Sequence, residues 1–390
     1  MKKESIADKI TLVIITYNRY EYLLRLLKYY RSYNSPVKII VADNSEVKTK
    51  NKKLLRLLSS KNVYWKKFDS KISIIEKISR ALVEVKTTYS VLTADDDFTI
   101  LPSLFQCIDF LEHNPDYSAV HGLYFMHSPA ERAKRYGFSV NQLYRNSRTS
   151  NEESGKERLE AYLTGQSLHT FYSVHRNEEH RLIWRETLKY VSSSLLAELY
   201  PTCMSHLYGK IKKMNIFYCS REPAQKPWKT KSYVENEYSS EKINRAVEGL
   251  KIHLSKIDII SIEDAESVIN RAFERYLTRI AAKYENDSEQ PVATDTNRIR
   301  STTNNHNGKV KITYPKKTFF SFFIRLKHFL RLRTRLRQLI KRFELRYTHD
   351  IPSEYLLFIY PDYAEDYRRV KKAVVSSGLS SKDLFRKPSI

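Results

Sequence analysis

Tyr89-Ser90-Val91-Leu92-Thr93-Ala94-Asp95-Asp96-Asp97-Phe98-Thr99-Ile100-Leu101-Pro102 is the stretch on which the fold turns. Residues 89–93 read as a short buried strand, and that strand ends in three consecutive carboxylates. Adjacent carboxylates repel one another, and a buried strand end does not normally carry them. A divalent cation such as Mg2+ or Mn2+ would make sense of them, since such ions take hard oxygen ligands. A cation held by few protein carboxylates keeps positions open for substrate phosphates. The carboxyl end of a strand is also where open α/β sheets bind ligands. The triplet therefore predicts a metal–diphosphate site.

The flanking sequence alternates strand and helix signals. Upstream, residues 10–16 form a β-rich run ending in Tyr17-Asn18-Arg19, and 21–33 carry Leu23, Leu24, Leu26 and Leu27 at helical spacing. Residues 37–42 read as a second strand, ending in Asp43-Asn44-Ser45. A helix over 52–58, a strand at 63–65 and a helix over 72–85 lead to the aspartates. Downstream, 101–113 read as a helix with Pro102 near its start, a favoured position. This βαβα order predicts an α/β fold, a mostly parallel sheet covered by helices.

Beyond it the spacing predicts a strand over 117–125, a polar and basic loop over 132–148, a helix over 156–163, a strand over 169–174 and a helix over 179–190. A long helix over 192–214 should be kinked or split by Pro201, and a late strand follows at 216–220. Two amphipathic helices span 239–257 and 262–284. Residues 286–308 are polar and read as a linker. The expected division is a catalytic domain over about 1–230, with halves meeting near 125, a helical extension over 231–285, the linker, and a basic C-terminal region over 309–390.

The chain has 390 residues and a net charge of +24, from 68 Lys and Arg against 44 Asp and Glu, which predicts an anionic partner. Cys107, Cys203 and Cys219 show neither metal-ligand nor disulfide spacing and read as reduced, buried thiols. No signal peptide and no stretch of membrane-spanning length is evident. The expected location is cytoplasmic, peripheral on the inner face of the membrane.

Taken together, Val13-Ile14-Ile15-Thr16-Tyr17-Asn18-Arg19, Val41-Ala42-Asp43-Asn44-Ser45 and Thr93-Ala94-Asp95-Asp96-Asp97 with Pro102 resemble the GT-A fold glycosyltransferases of family 2, over roughly residues 8–125. The resemblance implies an α/β GT-A domain, a nucleotide-sugar donor, most commonly a UDP-sugar, and Mg2+ or Mn2+. It implies that Thr16, Tyr17 and Arg19 meet the nucleotide and that Asp43 accepts hydrogen bonds from the base. Asp96 meets the ribose or the metal shell, Asp97 ligates the metal within the family's Asp-x-Asp motif, and Asp95 orients its neighbours. Asn44 and Ser45 depart from the family's usual aspartate and glycine. The Gln-x-x-Arg-Trp sequence of the processive synthases is missing.

Sugar transfer has its own requirements. The leaving diphosphate develops charge that a cation can neutralise, and the acceptor hydroxyl needs a base within hydrogen-bond reach. A base facing the anomeric carbon opposite the leaving group inverts the configuration. Glu198, isolated in Leu195-Leu196-Ala197-Glu198-Leu199, is the candidate, since burial would raise its pKa; a solvated helix acid is the plain alternative. His169 and Arg221 are candidates for holding the acceptor, against a structural histidine and a surface ion pair.

Residues 309–346 carry thirteen Lys or Arg against one acid, Glu344, half of the net charge. Phe322, Leu326, Phe329 and Leu336 fall roughly on one helical face among them. Such a helix suits an anionic membrane surface and a glycan or lipid-linked acceptor of the capsule or lipopolysaccharide type. No motif for reading nucleic acid accompanies the charge. Two other readings stay open: a sugar-phosphate nucleotidyltransferase, which would need a Gly-rich loop after the first strand, and a non-catalytic protein that binds anionic membranes or nucleic acid.

Overall fold

The computed structural model describes residues 5–128, 139–165, 169–222, 231–288, 351–352, 361–377 and 379. The chain divides into two units, Met1–Leu277 with Asp350–Ile390, and Thr278–His349. Of the second, 278–288 are described. The basic stretch 309–346 and the greater part of the expected linker lie outside the described residues.

The first unit is built on a ten-stranded sheet. Its leading half is parallel. β1 (Ile10–Thr16), β2 (Lys38–Asp43), β3 (Val63–Lys67) and β4 (Tyr89–Ala94) lie in the order β4-β1-β2-β3. β1 and β4 are buried nearly throughout, as continuous apolar runs in a sheet covered on both faces should be. Register sets Thr16 beside Asp43 and Ile15 beside Ala94, so three carboxyl strand ends stand level.

The helices between them are α1 (Tyr20–Arg31), α2 (Lys52–Leu58), α3 (Ile74–Val83) and, after the short β5 (Phe98–Thr99), α4 (Leu101–His113). Their starts are written locally. Asn51 caps α2 by accepting from the Lys53 and Leu54 amides, Ser73 caps α3 through Glu76 N, and Pro102 sits in the first turn of α4.

The trailing half is mixed. β6 (Tyr117–Ser128) runs parallel to β9 (Lys210–Arg221) and antiparallel to β7 (Ser139–Gln142) and β8 (Val174–Arg176); β8 also pairs antiparallel with β4. α5 (Gly155–Leu163), α6 (Asn177–Tyr190), α7 (Leu196–Tyr208), α8 (Lys231–Glu237), α9 (Ser240–Asp258) and α10 (Ile262–Ser288) make this part mainly helical outside the sheet. β10 (Ile351–Pro352) pairs with β7, and α11 (Ala364–Ser377) packs Tyr367, Val370 and Val374 into the same core as α1.

Three expectations change here. Of the strand expected over 169–174 only Val174 lies in β8, which runs on to Arg176, because Ser173 N turns back to Thr170 O at 2.8 Å. β7 lies inside the expected loop over 132–148. The expected long helix over 192–214 is a helix followed by a strand. Pro201 neither splits nor ends α7; hydroxyls there bond backbone carbonyls, Thr202 to Glu198 O and Ser205 to Pro201 O, each at 2.9 Å. The helix stops at Gly209, where any Cβ would lie 2.8 Å from Ser118 N, so only glycine lets the chain pass β6 and enter β9.

Candidate active site

The site is assembled at the level carboxyl ends of β1, β2 and β4. The β1–α1 turn carries Asn18 at φ 55°, a left-handed conformation that asparagine tolerates. Asn18 is tied to the segment after β2: its amide donates to Ser45 Oγ at 2.7 Å and its Oδ1 accepts from Glu46 N at 3.0 Å. The first two motifs are thus one surface. Tyr17 is exposed on it, with its hydroxyl 3.1 Å from Glu46.

The aspartates are held by arginines. Thr16 Oγ1 donates to Asp95 Oδ2 at 2.7 Å, while Arg19 reaches Asp95 at 3.2 Å and Asp96 at 2.6 Å. From the far half, Arg221 Nε donates to Asp97 Oδ2 at 2.9 Å, and the Glu222 amide donates to Asp97 Oδ1 at 3.1 Å. Asp95 and Asp97 are each 2% exposed. Burial, then the neighbouring charge of Asp96, pushes both carboxyls above the usual range against Arg19 and Arg221 respectively. The Asp97 charge holds the Arg221 guanidinium protonated.

Among the described residues no group of three or more His, Cys, Asp or Glu is placed to hold a metal ion alone. The donor set nonetheless fits a cation that brings phosphate oxygens with it. Asp96 is part-exposed at the surface of the triplet, Asp97 adjoins it, and carboxylate oxygens that accept one hydrogen bond keep further lone pairs.

Asp43 stands apart from its expected role. It is fully buried, its Oδ2 accepts from Tyr20 (3.0 Å), Trp65 Nε1 (3.0 Å) and Lys67 (3.1 Å), and its Oδ1 accepts from Ser45 N (2.8 Å). Burial opposes its charge, but the bonds from Ser45, Trp65 and Lys67 outweigh it and hold the carboxyl below the usual range. In this geometry the carboxylate organises a Tyr20–Trp65–Lys67 platform, with the Lys67 ammonium 5.8 Å from the Trp65 ring.

Glu198 lies exposed in the first turn of α7, so the expected burial is absent. The Tyr172 phenol is pushed up first by burial and, against Arg221, by the charges of Asp97, Glu198 and Asp96. The Arg221 guanidinium sits 5.1 Å over the Tyr172 ring. Tyr172 therefore stands within electrostatic reach of Glu198 as well as of Asp96 and Asp97. His169 is exposed and hydrogen-bonds Tyr162 at 2.7 Å, a position that the contacts above do not join to the aspartates.

Lys77 was not anticipated from sequence. It is 3% exposed on α3 and donates to Thr16 O (3.0 Å) and Asn44 Oδ1 (2.6 Å), joining β1 to β2 beneath the site. Burial brings its pKa down to about 8 against the pull of Asp95 and Asp43. The signal was available: a lysine within the apolar run Ile74-Ile75-Glu76-Lys77-Ile78.

No family model and no curated protein matches the chain. Solved structures similar to it include those of S. aureus TarS. The TarS 1–349 complex with UDP-GlcNAc is 11% identical over 69% of this chain and 73% of that one, with a TM-score of 0.49. TarS 1–349 is 10% identical over 73% and 93%, with a TM-score of 0.42. The longer TarS structure is 10% identical over 69% of this chain, with a TM-score of 0.45, and this chain spans only 43% of it.

Proposed function

We propose that this chain is a nucleotide-sugar-dependent glycosyltransferase of the GT-A type that transfers with inversion. One observation carries the reading. Thr16, Arg19 and the three aspartates form one hydrogen-bonded cluster at level parallel strand ends, and Arg221 closes it from the other half of the sheet. That is the crevice where an open α/β sheet takes a ligand. Acids and arginines in alternation match a diphosphate that arrives with a cation.

In this reading Asp97 and Asp96 hold Mg2+ or Mn2+, which supplies charge neutralisation to the leaving diphosphate. Arg19 and Arg221, already charged and beside the triplet, offer forked donors to phosphate oxygens. The Tyr20–Trp65–Lys67 platform on Asp43 faces the nucleotide. Glu198, across Tyr172, takes the proton from the acceptor hydroxyl. Its exposure suits an acid that an arriving acceptor desolvates, rather than one buried beforehand. The turn Thr16-Tyr17-Asn18-Arg19-Tyr20 lacks the glycines of a nucleotidyltransferase loop. No helix among the described residues is long and apolar enough to cross a membrane. The charge of residues 309–346 supports an anionic membrane surface as the place where a glycan or lipid-linked acceptor is met.

The test is thermal stabilisation by a panel of nucleoside diphosphates and nucleotide sugars, each with and without MnCl2. A rise in melting temperature for a UDP compound that requires the cation is the expected result. No shift with any of them rejects the reading.

A further inference from the structure

We propose that the buried Arg25–Glu222 ion pair is a positioning device for the Asp96–Asp97 turn; this rests on the donor site proposed above. Arg25 interrupts the leucines of α1, and Glu222 follows the last residue of β9. Their side chains are 1% and 2% exposed, and Arg25 Nη2 lies 2.6 Å from Glu222 Oε2. The pair joins residues 197 positions apart in sequence.

Both partners also hydrogen-bond the aspartate turn. Arg25 Nη2 donates to the Asp96 carbonyl at 3.2 Å, and the Glu222 amide donates to Asp97 Oδ1 at 3.1 Å. The guanidinium is fixed in turn by two rings, 4.7 Å from the centroid of Tyr22 and 5.0 Å from that of Phe98. His127 Nε2 stands 3.8 Å from Glu222 Oε2.

As a stabilising element the pair is poor. Taking two charges out of water is costly, and the attraction repays it only where the remaining donors and acceptors are satisfied. Here Arg25 Nε and Nη1 and Glu222 Oε1 find no hydrogen-bond partner among the described residues. The pair's location supplies what its energetics do not. It fixes the backbone of Asp96 and the carboxylate of Asp97 relative to Arg221, one residue away on β9. A site in which one half of the sheet brings the acids and the other half brings the arginine needs such a ruler, because small misplacements there are expensive.

The test measures UDP affinity of the full chain by calorimetry, with and without MnCl2, in wild type and in the double variant Arg25→Met with Glu222→Leu. Replacing both partners by apolar groups avoids leaving a lone buried charge, so the double variant should fold with a melting temperature close to wild type. The expected result is an unchanged metal-free affinity and a loss of at least about tenfold in the Mn2+-dependent gain. Single Arg25→Met should melt lower and lose the same gain, and Arg25→Lys should restore part of it. A double variant that keeps the whole wild-type gain overturns the proposal. So does a double variant that melts lower and loses metal-free and Mn2+-dependent affinity alike, which marks a scaffold role. A wild type without any Mn2+-dependent gain removes the cation of the proposed function, and the pair's role with it.

Discussion

The two halves of the sheet differ in how their residues specify them. In the leading half each strand, turn and helix is encoded within a few residues of itself, and its four strands are all parallel. In the trailing half the main partners, β6 and β9, lie far apart in the chain, and their register shifts three times along the ladder. The leading half brings acids to strand ends; the trailing half brings Arg221, Glu222 and Glu198. The acids of the candidate site are thus placed by local signals, whereas the residues that meet them from the other half depend on long-range pairing.

The largest expected effect falls on the leading half. Asp97→Asn keeps the shape and the acceptor oxygen toward one donor but removes the charge that, in the proposed function, holds a cation. Turnover in Mn2+ should fall by several kcal/mol of transition-state stabilisation, about a thousandfold or more. Steady-state kinetics beside a melting curve would check it, and a folded variant of wild-type rate would break the assignment. Next is Glu198→Gln, in the trailing half. As a base its loss should cost between about 10² and 10⁴ in transfer, with UDP affinity unchanged and stability within about 0.5 kcal/mol, since the residue is exposed. Equal loss of donor binding would instead place Glu198 in the donor site.

That asymmetry explains what could be read in advance. The strand Ile10–Thr16 and the helices Lys52–Leu58 and Leu101–His113 were legible to the residue because apolar runs, an asparagine cap and a proline at a helix start act locally. The aspartates were legible because three acids at a buried strand end demand a counter-charge. What supplies that charge in the structure was not: Arg19 comes from the turn before α1 and Arg221 from the end of β9, and no spacing links them. Residues 216–220 of β9 were read as a strand, but 210–214 were read as the end of a helix because leucine and histidine before Gly209 continue a helical pattern, and only the close approach of Gly209 to Ser118 ends it. Asp43 was read as open to a ligand because its four donors, Tyr20, Ser45, Trp65 and Lys67, converge mainly through tertiary packing.

A smaller effect separates the halves by acid. All eleven histidines lie at or beyond His113, and the segment from β1 to β4 has none. His121 and His175 are brought down to about 4 by burial, and His180 well below its ordinary value by burial and then by His175, whose ring stacks on it at 4.3 Å. These folded pKa values lie below the unfolded one near 6.5, so the unfolded chain binds more protons between them. Stability is then complete above about pH 6.5 and is lost as pH falls toward 4, by roughly 1–2 kcal/mol per histidine at pH 5. Asp43, held below the ordinary carboxylate value, withdraws its contribution only under more acid conditions. Hydrogen exchange at pH 7.5 and 5.0 should therefore show β6, β8 and α6 loosening before β1–β3. Uniform loosening would mean that the halves do not differ in this way.

The smallest effect tests a late element that belongs to the leading half. α11 reaches α1 through Tyr33, whose hydroxyl donates to Asp366 at 3.0 Å and lies 2.8 Å from that of Tyr29, and through Arg369, which donates to Ser32 O at 2.7 Å. Burial raises the Asp366 carboxyl against the hydrogen bond from Tyr33. Tyr33→Phe removes the donor and leaves that half-buried acid with one partner fewer, a cost of about 1–3 kcal/mol for a bond to a charged group. Because α11 joins the core through Tyr367, Val370 and Val374, the cost should appear as faster exchange of α11 amides while β1 and β4 keep their protection. If protection fell across β1 and β4 as well, residues 361–377 would be part of the cooperative unit of the leading half, and the boundary between local and long-range encoding would have to be drawn through that half rather than beside it.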